Sequence, residues 1–279
     1  MAEHGSDSPH LDQEEQKQAS RHAPLKALVI HEIIRAEGEA ELQRSNSALL
    51  WSGLAAGLSM GFSFAVQALL QSGLPAAPWR HLVASLGYVV GFAIVVLGRQ
   101  QLFTESTLSA VLPVLTRRDG KSLIAMLRLW GLVLAANLVG TWIFAAAVAY
   151  ANPFGPDAQA SFNELSRETV AHPFGLTFVK SIFAGWLIAL MVWLLPTAGS
   201  ARILIIALLT WVVALGRLSH VIAGSSEAAY GVLIGQAALS DYFGRFLLPT
   251  LLGNTLGGAA LVAMLNHAPV SEEMTADER

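Results

Sequence analysis

Two short polar runs interrupt long apolar stretches of this chain: GRQQLFTE at 98–105 and GRLSHVIAGSSE at 216–227. Four of their residues carry charge: Arg99, Glu105, Arg217 and Glu227. An unpaired charge at the centre of a bilayer costs ~2.5–3.5 kcal/mol even on the mildest scale, so these four are expected as ion pairs or loop contacts that hold the interruptions together. Thr104 and His220 need no charge. Both can hydrogen-bond a small polar solute, and His220 alone of the two titrates near neutral pH. Ser219 and His220 are sequence neighbours, which implies no nucleophile–base contact. The chain has no His-Glu-x-x-His or Gly-x-Ser-x-Gly pattern, so an enzyme is not the expected reading.

Composition says what surrounds these runs. Of 279 residues, 54% are hydrophobic and 13% charged, the balance of an integral membrane protein. The net charge of −3 gives no reason to expect nucleic acid as a partner, and the absence of cysteine removes disulfides and cysteine-rich metal sites. No cofactor and no metal are expected. Residues 1–24 are polar and aperiodic and read as a disordered N-terminus without a cleavable signal. Residues 25–46 read as an amphipathic helix, with Val29, Ile30, Ile33 and Ile34 on one side, lying on the membrane or under the bundle. The transmembrane domain is placed at 47–267 and a C-terminal tail at 268–279.

Within that domain the apolar spans fall at roughly 48–70, 81–115, 127–150, 174–195, 201–236 and 246–266, against the ~20 residues that one crossing needs. The second and fifth are too long for one crossing and too short for two. Each holds one of the polar runs, so each reads as a broken helix. Lys and Arg cluster before the first span and at Arg117, Arg118 and Lys121, whereas 151–173 is poor in them. This puts both termini in the cytoplasm and requires an even number of crossings; six fits.

The halves also echo each other. Arg99 and Arg217 lie 118 positions apart; Asn137-Leu-Val-Gly140 and Asn254-Thr-Leu-Gly257 lie 117 apart. Matching offsets in two over-long spans and two third spans predict an inverted-topology repeat of three helices each, with a site between the breaks. Non-helical backbone at that depth must be surrounded by protein or line a cavity.

Leu102-Phe103-Thr104 in one break and His220-Val-Ile-Ala in the other, with the six spans and cytoplasmic termini, resemble the formate/nitrite transporter family along residues 45–267. HEIIRAEGEAEL and RQQLFTE are especially similar to its divergent YfdC-like branch. The resemblance implies the aquaporin-like fold of that family and a homopentamer in the inner (plasma) membrane. It also implies a channel or transporter for a small monovalent anion or its weak acid, proton-linked through His220 as the central pore histidine, with Thr104 beside it. Tyr88, Phe92 and Leu102 then fall near one apolar constriction, and Ile188 and Val213 near the other. Thr169 stands where the family has a vestibule lysine, and Gly185 where it has a pore asparagine; both changes remove groups that favour an anion. The alternatives are a pore for a small neutral solute, or a closed, non-transporting structural or regulatory membrane protein.

Overall fold

The computed structural model describes residues 10, 12–22, 25–264 and 268. The expected tail at 268–279 therefore lies outside the described residues except for Ala268, as does Pro24. Among the described residues the regular structure is entirely helical.

Helix α1, Gln13–His22, lies within the stretch read from sequence as disordered. Its start is held by a reciprocal cap. Asp12 Oδ1 accepts from the Glu14 and Glu15 N–H groups at 2.9 and 2.8 Å, and the Asp12 N–H donates to Glu15 Oε2 at 2.9 Å. Caps of this kind leave no trace in hydrophobic periodicity, the signal on which the disordered reading rests.

Helix α2, Ala27–Leu42, packs under the bundle and does not float on lipid. Its buried face is His31, Ile34, Gly38 and Leu42, while Val29 and Ile33 are exposed. At Gly38 a Cβ would sit 1.9 Å from the Ser109 carbonyl oxygen, so only glycine permits this approach. The α2 end is tied by Arg128, which donates to the Leu42 and Arg44 carbonyls, each at 2.9 Å.

The first repeat comprises α3, Asn46–Gly73; α4, Arg80–Leu97; the short α5, Phe103–Ser109, and α6, Val111–Arg117; and α7, Gly120–Ala146, extended by a π-type turn at Ala147–Ala151. The second comprises α9, Phe174–Leu194; α10, Arg202–Leu215; α11, Ala223–Leu233; and α12, in which Leu239–Asp241, Tyr242–Leu247, Leu248–Thr255 and Leu256–Met264 run end to end. The second and fifth spans are broken at residues 98–102 and 216–222, as their length and polar centres require. Trp51, Ile124 and Leu204 are among the large apolar side chains left exposed, as lipid or a neighbouring subunit allows.

The N-x-x-G echo has a packing cause. A Cβ at Gly57 on α3 would meet the Asn137 carbonyl oxygen at 2.2 Å, and one at Gly185 on α9 would meet that of Asn254 at 2.3 Å. The helices of each repeat cross with backbones in contact, as small residues permit in membranes. Between the repeats lies α8, Pro156–Val170, a helix that the reading of 151–173 as a loop did not include. Pro at its first turn, Asp157 near its start and Arg167 near its end favour it. Phe162 anchors it, with ring centroids 4.9 Å from Phe64 on α3 and 5.8 Å from Tyr230 on α11.

Candidate pore site

Both breaks are built in the same way. At the end of α4, Gly98 and Gln100 donate N–H bonds back to Ile94 and Val95 at 2.9 and 3.0 Å; at the end of α10, Gly216 and Leu218 donate to Val212 and Val213, both at 2.9 Å. The residue between them turns left-handed: Arg99 has φ +50° and Arg217 φ +47°. Helices end this way most often on glycine. An arginine in that conformation costs about 1 kcal/mol, so the two arginines share a backbone task at matching positions.

Each break is then clamped by the asparagine of its own repeat. Asn137 Oδ1 accepts the Phe103 N–H at 2.9 Å, and its Nδ2 donates to Gln101 O at 2.9 Å and Gly53 O at 2.7 Å. Asn254 Oδ1 accepts the Val221 N–H at 2.8 Å, and its Nδ2 donates to Ser219 O at 3.0 Å and Ser181 O at 2.7 Å. Both side chains are fully buried. One carboxamide per loop thus satisfies a donor and an acceptor that the missing helical turn leaves open. From sequence these asparagines are legible only as repeat landmarks; their task needs the third dimension.

The clamps bring the two loops together at one hydrogen bond. Thr104 Oγ1 lies 2.8 Å from His220 Nε2, and both residues are 1% exposed. His220 Nδ1 accepts the Ala223 N–H at 3.2 Å. That bond assigns the neutral ring's proton to Nε2, which donates to Thr104 and leaves the threonine hydroxyl hydrogen free for a third group. The Phe92 ring meets the imidazole edge to face at 5.0 Å, and Tyr88 lies 5.3 Å beyond Phe92.

A cavity approaches this pair from each side. One, of about 310 Å³, lies under α8 and is lined by Gln67, His81, Tyr88, Thr169, His220 and Glu227, among others. The other, of about 570 Å³, lies over α2 and is lined by Glu37, Glu41, Val96, Gln101 and Glu105, among others. Phe92, Leu102, Ile188 and Val213 line neither cavity; all four are buried in one apolar cluster with Tyr88. Phe103 turns away from both cavities, its ring 5.8 Å from Trp130 on α7.

The charged residues do not pair within the breaks. Arg99 pairs with Glu37 of α2 and Arg217 with Glu168 of α8, each at 3.0 Å, with both arginine side chains more than half exposed. Glu227 accepts the Thr169 hydroxyl, and Glu105 Oε1 has no hydrogen bond. Left-handed backbone aims each arginine out toward the peripheral helix, which spacing along the chain does not reveal. Outside the crossings, burial and then the Lys180 ammonium hold His172 below its ordinary pKa; Lys180 Nζ lies 2.8 Å from His172 Nε2. Burial pushes the Glu41 carboxyl up, against the hydrogen bonds from Ser109 and Gln101 that favour its charged form. Gly185 faces the α12 backbone and neither cavity. Among the described residues no three His, Asp or Glu are grouped to hold a metal ion.

Inverted repeats with two broken helices, meeting at a buried polar pair between opposed cavities, define a membrane protein of the channel and transporter class. The formate/nitrite transporter family model matches residues 28–268, and the chain belongs to that family. It is 41% identical over 276 residues to "Inner membrane protein YfdC" of Escherichia coli (strain K12), covering 97% of this chain and 89% of that one. Among solved structures, an "FNT family ion channel" superposes with a TM-score of 0.75 at 20% identity, covering 85% of this chain and 96% of the other. A "Pentameric formate channel with formate bound" superposes at 0.68 and 21% identity, covering 79% and 95%.

Proposed function

We propose that this chain conducts a small monovalent weak acid of the formate or nitrite type across the membrane, from one cavity to the other past His220 and Thr104. Family membership and the formate channel among the structural neighbours support the solute class. The observation that carries the reading is the 2.8 Å contact between Thr104 and His220, which joins the two breaks between cavities of opposite aspect.

Phe92, Leu102, Ile188 and Val213 form the dry septum in this reading. Stripping water from a carboxylate to cross it costs several kcal/mol or more. Protonating an acid of pKa about 4 at pH 7 costs ~4 kcal/mol, three units at 1.36 each. The solute therefore crosses as the neutral acid and ionises again beyond. His220 serves as a neutral ring: protonating Nδ1 would break its bond from the Ala223 N–H, so exchange runs through Nε2 and the Thr104 hydroxyl. Thr104 presents its own hydrogen to the solute. The name of the E. coli relative supports an inner-membrane location, the pentameric neighbour supports a homopentamer, and the Lys and Arg distribution supports cytoplasmic termini.

The test is flux into liposomes of formate, nitrite, acetate, lactate and hydrosulfide at two pH values. Uptake that follows the pH gradient, lost in His220→Phe, is expected; wild-type uptake by His220→Phe overturns the role of His220. A pore for a neutral solute is the second reading, favoured by the Thr169–Glu227 hydrogen bond in the vestibule under α8. Uptake indifferent to the pH gradient would select it.

A further inference from the structure

The larger cavity is short of donors. Three buried acceptor oxygens on its wall have no hydrogen bond: Gln100 Oε1, Gln101 Oε1 and Glu105 Oε1. Glu41 stands on the same wall, its oxygens accepting from Gln101 Nε2 at 3.1 Å and Ser109 Oγ at 2.6 Å. Gln101 cannot turn its amide over to relieve its own oxygen. Its Nε2 is fixed by Glu41, its N–H donates to Ser52 Oγ at 3.0 Å, and the residue is 5% exposed.

The cations nearby do not reach this wall. Arg99 is engaged with Glu37 and is largely exposed. Arg44 and Arg202 also line the cavity, yet among the described residues neither Glu41 nor Glu105 is in an ion pair. Two carboxyls and two amide oxygens thus converge on one chamber without a matching positive group. Buried charge in proteins is paired, neutralised or bound to an ion, and a single cation satisfies several of these acceptors at once.

We propose that the chamber over α2 is a binding site for a small monovalent cation of the Na⁺, K⁺ or ammonium class, held by Glu105, Gln100, Gln101 and Glu41. Carboxylate and amide oxygens are hard ligands suited to such ions. A divalent ion fits poorly. It takes six or more oxygens, usually with several carboxylates close together, and no trio of acidic side chains is so grouped among the described residues. The volume leaves room for the ion to keep part of its water. The site explains two stretches that the transport reading leaves without a task, GEAEL in α2 and RQQLFTE in the first break: one supplies Glu41 and the other Gln100, Gln101 and Glu105.

The experiment needs no transport. Thermal unfolding of the purified full-length protein in detergent is followed in NaCl, KCl and NH₄Cl against choline chloride at equal ionic strength. A saturable rise in unfolding temperature is expected with at least one of the small cations, on the order of 3 °C at ten times its dissociation constant. Glu105→Gln, nearly isosteric, should abolish it. Gln100→Leu, at the exposed end of the break, is the second variant and should weaken it at least tenfold in concentration. Equal unfolding temperatures in all four salts overturn the site, as does an undiminished rise in both variants.

Discussion

Replacing Asn254 by Ala tests the physical basis of the pore most directly. Three backbone groups lose a partner: Val221 N–H, Ser219 O and Ser181 O. The Ser181 carbonyl lies inside α9 and keeps its helical bond. Val221 N–H and Ser219 O lie in the break, where the asparagine is the partner each of them has among the described residues. An unsatisfied buried group costs roughly 1–3 kcal/mol, so the loss should be about 2–6 kcal/mol. Asn137→Ala should lose a similar amount, because Phe103 N–H and Gln101 O stand in the same relation to it. Denaturant unfolding in micelles measures the change. Flux should fall in both variants, since each freed group is within three residues of Thr104 or His220. A loss under about 1 kcal/mol in either variant would refute the clamp, because it would mean that water or another group already serves the loop.

Further outcomes follow from the same contacts. Gly185→Ala would push a Cβ to within 2.3 Å of the Asn254 carbonyl oxygen, and should cost about 1–3 kcal/mol or more in the same unfolding assay through overpacking. Thr104→Val keeps the shape but leaves the His220 Nε2–H without an acceptor; it should cost about 1–3 kcal/mol and slow flux, whereas Thr104→Ser should retain both. Glu41 has its folded-state pKa raised above the ordinary 4.5 by burial. Its favourable contribution is therefore complete below that value and declines as pH rises through the raised pKa. In choline buffer, Glu41→Gln should flatten the fall in stability above pH 4.5; an unchanged pH profile would show that Glu41 does not titrate in this way.

The chain alone determined a good deal. Length and polarity together identified the two broken helices, since a span of 35 or so apolar residues interrupted by Arg and Gln has no other way to satisfy its backbone in lipid. The matching offsets identified the inverted repeat, and the LFT and HVIA runs identified the family. Thr104 and His220 could be named because each is a neutral hydrogen-bonding group at the same place in its half. Helices α1 and α8 were less legible: their signals are caps, Pro and polar helix formers rather than an apolar stripe.

Only the folded chain decided who touches whom. Arg99 and Arg217 were expected to serve their loops by charge, yet left-handed backbone sends their side chains to α2 and α8, and the clamping falls to two uncharged asparagines on other helices. Gly185 reads as a lost pore group in an alignment, but in three dimensions it is a point of backbone contact. Hydrophobicity and period act along the chain and survive in the sequence; the aim of a side chain and the partner of a carbonyl depend on which distant helix arrives beside it.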